Sequence, residues 1–311
     1  MMIDGGNKAD SSLIYSVLKN TGVTKLDIVV GTHAHEDHIG SLPGNFNYTT
    51  ADLTLCPTTN YDSDAFNDFK KYAEKNGSGI TIPSVGDTYT LGSATIDILG
   101  VNDGSDTNNT SIVLKITYGS TAFLFTGDAE REVEQAILNR GADLSATVLK
   151  VGHHGSDTST TYPFLREIMP EYAIISVGKG NSYGNPTDNN LSHLRDADVT
   201  VYRTDLNGDI FVASDGRSVS ISSDKSTDKN EIMTPGGSVT TSPPTTQKPD
   251  SVQNDSPSED TDYIVNTNTG KFHYPSCGSV KKMKESNKMY YTGTRDELIA
   301  KGYYPCGNCH P

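Results

Sequence analysis

Three features are scarce or absent in this 311-residue sequence. There is no run of about 18 apolar residues, so the sequence predicts no transmembrane helix. Positive charge is scarce, with 25 Lys and Arg against 39 Asp and Glu. The net charge of −14 argues against a general nucleic-acid-binding surface, although a local metal or basic patch can still hold phosphates. Only four cysteines occur, and three of them lie near the C-terminus. An odd number of cysteines in this C-terminal region favours a metal site that includes a histidine over a disulfide framework.

The length allows one sizeable hydrophobic core plus a small module. In residues 1–222, predicted strands and helices alternate, which indicates a layered α/β architecture. Strands are predicted at 26–30, 53–57, 88–91, 94–99, 112–116, 121–125, 147–151, 172–177, 199–203, 209–212 and 218–222, and helices at 10–18, 64–75, 130–138 and 191–196. Ile3 is predicted to lie at the end of a further strand, which leads into a turn.

The densest group of metal-ligating residue types follows the predicted strand at 26–30. Four potential ligands fall within six positions: His33, His35, Asp37 and His38. Imidazole nitrogen and carboxylate oxygen suit zinc or similar ions. Because neighbours on extended backbone point to opposite faces, the spacing favours two ions, with the His-x-His pair on one and the Asp-His pair on the other. The alternative is a polar surface loop.

Two more strands end in candidate ligands. Asp128 follows the strand at 121–125, where its carboxylate can bridge two metal ions or cap the helix at 130–138. His153 and His154 lie between glycines after the strand at 147–151, and neighbouring residues there cannot point the same way. We assign His154 as the ligand and His153 as the residue that holds substrate or donates a proton. The alternative is that both make ordinary loop hydrogen bonds.

A glycine-rich loop follows the strand at 172–177. Its backbone N–H groups and Lys179 suit an anion, and a tight polar turn is an equally good interpretation.

The chain changes character after residue 222. Residues 223–260 are rich in Ser, Thr and Pro and predict a flexible to semi-extended linker. Such composition is common in exported proteins, so we expect an extracytoplasmic or secreted location, with a cytoplasmic one as the alternative. No signal peptide is recognisable at the start.

Residues 261–311 predict a small module with a strand at 263–266 that pairs with 270–273. Two ligand pairs follow a zinc-module spacing: His273-x3-Cys277 and Cys306-x2-Cys309. One structural zinc would stabilise a core this small. The alternative is a surface His273 with one disulfide, and His310 is a spare ligand. Four lysines give a basic face, which is either a polyanion contact or a solvated surface: Lys281, Lys282, Lys284 and Lys288.

The ordered motifs of residues 1–215 resemble the metallo-β-lactamase-fold domain of ComEC-type competence (DNA-uptake) proteins. The resemblance rests on residues 3–6, 32–40, 108–114, 125–128, 149–156, 176–178 and 181–186. It implies an αββα sandwich of two mixed sheets with helices outside and the active site along one edge. The module at 261–311 resembles the zinc-binding domain of the Ada-type alkylation-repair protein, with histidine in place of the usual first cysteine.

The family resemblance implies a ligand set that falls on the residues above: His33, His35, Asp37, His38, Asp128 and one of His153 and His154. Asn108 stands where many relatives outside this subfamily have a further histidine. Its carbonyl oxygen can complete the first site, and the alternative is that it leaves that position to water. The sequence departs from the family pattern at two points. The family has a strand hairpin that this sequence does not include before Ile3, and Asn185 stands where the family usually has a histidine.

The function implied is a metal-dependent hydrolase, most consistent with a phosphodiesterase or nuclease that could act on single-stranded DNA. Two divalent ions, zinc or manganese, would hold a hydroxide that attacks phosphorus. The catalytic assignments are Asp37, His153, Lys179 and Asn185. The alternatives are a non-catalytic protein that binds DNA or an envelope polymer, and a hydrolase of another ester, such as a phosphorylcholine ester, or of a lactam.

Overall fold

The computed structural model describes residues 1–76, 78–236, 261–267, 270–281, 283–301, 303–306 and 309. The chain divides into two compact units, Met1–Gly237 and Ser238–Pro311. The first unit therefore extends past residue 222, where the sequence places the domain boundary. Residues 237–260 of the predicted linker lie outside the described residues, as do Lys282 and His310.

The first unit alternates strands and helices as the sequence predicts. Its strands are β1 (Met2–Ile3), β2 (Lys25–Val30), β3 (Thr50–Leu55), β4 (Thr88–Leu91), β5 (Ala94–Gly100), β6 (Val113–Tyr118), β7 (Thr121–Phe125), β8 (Val148–Lys150), β9 (Tyr172–Ile175), β10 (Thr200–Arg203), β11 (Ile210–Ser214) and β12 (Val219–Ser223). Its helices are α1 (Ser11–Asn20), α2 (Glu36–Ile39), α3 (Leu42–Phe46), α4 (Asp64–Lys75), α5 (Arg131–Arg140), α6 (Tyr162–Ile168), α7 (Asp188–Asp196), α8 (Thr204–Asn207) and α9 (Lys229–Ile232).

The strands form two main sheets and one hairpin. The first sheet has the order β1-β2-β3, and the second has the order β10-β9-β8-β7-β6-β5-β4. The second sheet is mixed, since β4 to β7 pair antiparallel and β7 to β10 pair parallel. The first sheet is wholly parallel among the described residues, which corrects the prediction of two mixed sheets. Helices connect its successive strands, and such crossovers give parallel pairing.

Apolar residues fill three layers. Between the sheets pack Ile28, Val30 and Leu55 from the first sheet with Ile96, Ile98, Ile112 and Leu114 from the second sheet and the turn before β6. The outer face of the first sheet packs against α3 and α4 through Leu42, Phe46, Phe66 and Phe69. The outer face of the second sheet packs against α5, α6 and α7 through Val133, Ile137, Phe164, Leu165, Leu191 and Leu194. The predicted αββα sandwich is confirmed.

The parallel pairing also aligns the strand ends that carry the motifs. Phe125, Lys150 and Ile174 lie in one row across β7, β8 and β9, and Ile3 pairs with Val30 in the first sheet. The carboxyl ends of these strands therefore meet at one edge of the sandwich, where irregular loops can direct side chains to one place.

The second unit contains one four-stranded sheet in the order β15-β13-β14-β16. Its elements are β13 (Thr261–Asn266), β14 (Lys271–His273), α10 (Gly278–Lys281), β15 (Lys288–Gly293), α11 (Arg295–Ala300) and β16 (Tyr304–Pro305). The antiparallel pairing of β13 with β14 confirms the predicted hairpin. In the part of the chain that the structure describes, we find no helix of the length and apolarity that a bilayer requires.

Candidate metal centre

Three loops bring ligand-type side chains together at the common edge. The loop after β2 supplies four of them, the turn after β7 supplies Asp128, and the turn after β8 supplies His153 and His154. Asp128 is 3% exposed and lies at the middle of the group. Its carboxylate oxygens approach the Nε2 atoms of four imidazoles, at 3.9 Å for His33, 3.3 Å for His38, 3.8 Å for His153 and 3.5 Å for His154.

Two overlapping groups have their ligand atoms within 4.8 Å of one another: His33, His38 and Asp128, and Asp37, His38 and His154. His35 adjoins the first group, because its Nδ1 lies 3.1 Å from His33 Nε2. The predicted pairing placed His38 with Asp37 alone, whereas the structure places it in both groups. The reason is α2, which begins at Glu36 and returns the ring of His38 to within 4.1 Å of the ring of His33, measured between centroids.

The turn Gly152–Gly155 separates the two neighbouring histidines. Both adopt left-handed backbone, with φ of 47° for His153 and 56° for His154. His154 Nδ1 lies 2.8 Å from the carbonyl oxygen of Ser176, so its Nε2 faces Asp37 at 3.3 Å. His153 Nδ1 lies 3.1 Å from both Glu130 Oε1 and Thr158 Oγ1. His154 is therefore the better placed of the two to complete the group that holds Asp37 and His38.

Asp4 is a functional candidate to which the sequence assigned no role. Its Oδ2 lies 2.7 Å from His38 Nδ1, and its carboxylate also accepts hydrogen bonds from the backbone N–H and the hydroxyl of Thr32. The parallel pairing of β1 with β2 places Asp4 beside this loop. A carboxylate on the far nitrogen fixes the tautomer and orientation of a ligating imidazole. The available signal was an acidic residue at a strand end beside the motif.

Burial and close charges shift the titration of these groups. Burial lowers the pKa of His33 to about 3, with help from the neighbouring His38. For His38, burial acts downward, but the Asp4 and Asp128 carboxylates prevail and raise its pKa to about 10. Burial also acts to lower the pKa of His154, but the Asp128 and Asp37 carboxylates outweigh it and raise this pKa to about 9. The hydrogen bond from His154 lowers the pKa of Asp37 to about 2. Burial acts to raise the pKa of Asp128, but hydrogen bonds from His154 and His38 outweigh it and lower this pKa as well, so Asp37 and Asp128 are ionised at neutral pH and attract cations, either protons on the imidazoles or metal ions.

The donor set fits divalent metal ions. It combines imidazole nitrogens with carboxylate oxygens, as zinc and manganese sites do. Asn108 adds an oxygen that is buried and accepts no hydrogen bond from any residue that the structure describes. It opens the short helical turn Asn108–Thr110, and Ser111 just beyond accepts a hydrogen bond from the backbone N–H of Asp128. The orphaned amide oxygen is consistent with the predicted role in the first site.

Two further predicted catalytic residues lie on the loop after β9. Lys179 is exposed on the loop after β9. Asn185 is buried, and its side-chain amide donates to the carbonyl oxygen of His153 at 3.4 Å. Its backbone N–H is bound by Asn181 Oδ1 at 3.0 Å. Asn185 therefore contacts the backbone of the histidine turn.

A cleft of about 700 Å³ opens beside the metal-ligand group. Asp37, His38 and His154 line one end. The rest of its wall is mainly apolar, from residues such as Ile116, Phe123, Phe125, Val148 and Ile174. Lys150 also lines the cleft, and its ammonium donates to the Val151 carbonyl oxygen at 2.9 Å. Burial lowers the pKa of Lys150.

The second unit contains its own candidate site. His273, Cys277, Cys306 and Cys309 have ligand atoms within 4.8 Å of one another. None of the four cysteines, all of which the structure describes, forms a disulfide, and the Nδ1 of His273 is buried without a hydrogen-bond partner among the described residues. This donor set fits a tetrahedral structural zinc.

Replacing Asp4 by asparagine should weaken metal binding at the group that contains His38. The variant keeps the size of the side chain but removes the charge that orients the imidazole. We expect a loss of about 10- to 100-fold in affinity for one bound ion, as for other carboxylates behind a ligating histidine. Competition titration with a chromophoric zinc chelator measures this affinity. Asp52→Asn, which alters an exposed pair with Lys25, is the control. Equal affinities for the two variants would contradict the assigned role.

The family described as "Metallo-beta-lactamase superfamily" matches residues 1–179. "ComE operon protein 3" of Bacillus subtilis is 34% identical over 191 residues, which is 61% of this chain and 25% of that protein. "Competence protein ComA" of Neisseria gonorrhoeae is 39% identical over 104 residues, 33% of this chain and 15% of that protein. The chain thus spans a quarter or less of the length of these relatives.

Among solved structures, the metallo-β-lactamase fold protein YhfI from Bacillus subtilis matches with a TM-score of 0.44 and 17% identity, over 65% of this chain and 82% of that one. The resemblance to ComEC-type competence proteins, predicted from the ordered motifs, is confirmed by the curated relatives. Because the matched residues 1–179 exceed half of the chain, the protein belongs to the metallo-β-lactamase superfamily, whose fold implies divalent metal binding and supports a metal-dependent hydrolase.

Proposed function

We propose that the protein is a metal-dependent phosphodiesterase that cleaves nucleic acid, with single-stranded DNA as the candidate substrate. The observation that carries this proposal is the convergence of three strand ends on Asp128, which brings four imidazoles within 4 Å of its carboxylate. A carboxylate so placed can bridge two ions. The names of two relatives, "Competence protein ComA" and "Recombination protein 2", favour nucleic acid as the substrate.

Two divalent ions, zinc or manganese, would be held by residues of the convergent loops. The first ion would take His33, His35, Asn108 and Asp128, and the second would take Asp37, His38, His154 and Asp128. Such ions, when bound, lower the pKa of water toward neutrality and stabilise negative charge on phosphoryl oxygens. In the second unit, one structural zinc would be held by His273, Cys277, Cys306 and Cys309.

The protein's own residues would orient the reaction. Glu130 and Thr158 fix the His153 ring through Nδ1, which leaves Nε2 directed toward Asp128. From there His153 would protonate the leaving oxygen. Asp4 holds the His38 ring in place. Lys179 is free to meet a phosphate on the exposed side of the loop, whereas Asn185 would act through the backbone of His153.

The location and the substrate surface belong to the same proposal. The Ser, Thr and Pro content of residues 237–260 favours an extracytoplasmic protein. With a net charge of −14, attraction of a polyanion would depend on the bound ions and on local cations such as Lys179.

Turnover of bis(p-nitrophenyl) phosphate and of single-stranded DNA, with Mn²⁺ or Zn²⁺ supplied, tests the proposal directly. A phosphorylcholine ester and a lactam are assayed in parallel. Faster turnover of either would redirect the substrate assignment, and absence of any turnover by a protein with two bound ions would make it a binding protein.

The two adjacent histidines should give opposite defects. His154→Gln is expected to lose one bound ion, because it removes a ligand. His153→Gln is expected to keep both ions and to lose about 10²- to 10⁴-fold in DNA cleavage, the usual contribution of a general acid. Its defect should be much smaller for bis(p-nitrophenyl) phosphate, whose leaving group needs no proton. Metal analysis and the two assays measure these effects. Loss of an ion from His153→Gln instead would reverse the assignment of the pair.

A further inference from the structure

The segment after β12 continues along the first unit. Residues 224–236, called the strap below, include α9 and belong to the stretch that composition assigns to the linker. Its first half is held by two hydrogen bonds to Asn207: Lys225 N–H donates to the Asn207 carbonyl at 3.0 Å, and the side-chain Nδ2 of Asn207 donates to the Lys225 carbonyl at 3.2 Å. Ile232 is 6% exposed and belongs to the outer core of the second sheet.

A buried arginine fastens the second half of the strap. Arg203 ends β10, is 2% exposed and forms a two-point ion pair with Asp205, with Nε–Oδ1 at 3.0 Å and Nη2–Oδ2 at 2.7 Å. Its remaining guanidinium nitrogen donates to the carbonyl oxygens of Ile232, at 2.9 Å, and of Thr234. Because a guanidinium presents several donors in a fixed plane, this one residue fixes the path of the strap.

The end of the strap lies against the loop that carries Asn185. Gly236 N–H donates to the Pro186 carbonyl at 2.8 Å. A Cβ at Gly236 would fall on the Asn185 carbonyl oxygen, so only glycine permits this approach. Asn185 donates from its side chain to the His153 carbonyl, and Thr187 N–H donates to the Gly155 carbonyl at 2.9 Å. One continuous series of contacts thus joins the strap to the histidine turn.

We infer that the strap is a positioning device for the histidine turn and that Gly236 is its positioning residue. Through its contacts with Asn185 and Pro186, the strap keeps that loop packed against the backbone of residues 153–155. It thereby holds the His153 ring beside Glu130 and Thr158, and the His154 ring beside Asp37. The catalytic consequence rests on the proposed function, whereas the mechanical consequence does not. Misplacement of a reacting group by about 1 Å can cost on the order of 100-fold in rate.

The test compares two alanine variants of the full chain. Gly236→Ala adds a Cβ where the Asn185 carbonyl stands, whereas Glu231→Ala, in the same strap, only shortens an exposed side chain. Hydrogen–deuterium exchange is followed at the amides of Ser156 and Thr187, which bond to His153 and Gly155. For Gly236→Ala we expect about tenfold faster exchange at these amides and a kcat lower by about 10- to 100-fold, with KM within about threefold. Glu231→Ala should match the wild type in both.

Arg203→Lys provides a second, independent release of the strap. A lysine keeps the charge beside Asp205 but cannot reach both carbonyls, so exchange at Ser156 and Thr187 should rise in the same direction. The inference is overturned if the strap amides open in either variant while Ser156 and Thr187 exchange as in the wild type, or if Glu231→Ala has the same effect as Gly236→Ala. If the wild type cleaves no phosphodiester, the proposed function fails, and the exchange data still decide on the strap.

Discussion

Asp128→Ala is expected to lower kcat/KM for phosphodiester cleavage by on the order of 10³-fold or more. Among the residues that the structure describes, Asp128 is the one carboxylate that approaches His33, His38, His153 and His154 alike. Its removal withdraws a ligand from both proposed ions and leaves the buried imidazoles of His33 and His38 without their neighbouring negative charge. Both metal content and turnover should therefore collapse.

Metal analysis after dialysis, together with the rate on bis(p-nitrophenyl) phosphate, measures this result. Asp128→Asn separates shape from charge, since it keeps the volume and should still lose most activity. Asp52→Ala, at an exposed ion pair, should behave as the wild type. Full activity in Asp128→Ala would exclude the bridged-metal mechanism.

The second large effect concerns the zinc module. Cys306→Ser, or chelation of the wild type, is expected to unfold the second unit while the first unit stays folded. The apolar clusters of this unit are small; one contains Tyr263, Val265, Phe272 and Leu298. A structural zinc contributes an apparent free energy of about 10–16 kcal/mol in peptides of this kind, more than such a core can replace.

Zinc content should fall by one ion per chain, and hydrogen exchange in β13 to β16 should become fast while exchange in β5 to β9 is unchanged. Cys56→Ala is the matched control, because Cys56 is a buried thiol of the first unit outside either ligand group. An unchanged zinc content in Cys306→Ser would contradict the site, and a folded second unit without zinc would contradict its structural role.

The sequence predicts this fold well wherever a pattern is local. The helix α4 and the strand β7 have the predicted bounds, because apolar spacing and flanking turn residues lie within the segment itself. The short helices were missed for physical reasons. α2 lies inside the ligand motif, which suggested irregular backbone, and α3 contains Pro43 and Gly44, both poor helix formers.

Contacts between distant segments set the limit of prediction for the site. The ligand types of the convergent loops can be read from strand ends, and the structure places several of these side chains close together. The role of Asp4 depends on the parallel pairing of β1 with β2, and the double proximity of His38 depends on α2. The seating of the strap depends on Arg203, a residue 29 positions before the carbonyl of Ile232 that it binds. No local pattern contains these relations.

The left-handed backbone at His153 and His154 has a consequence for how the site tolerates sequence change. A non-glycine residue in this conformation costs about 1–2 kcal/mol, and two such residues stand side by side. The contacts that hold the turn in the folded protein offset this cost, among them those of His154 with Ser176 and of His153 with Glu130 and Thr158. The two rings are therefore already oriented before a ligand binds. Glycines could adopt the same turn freely but would carry no imidazole, and β-branched residues would oppose it. The residue types that can replace these two histidines are therefore restricted by backbone conformation as well as by the chemistry of the side chain.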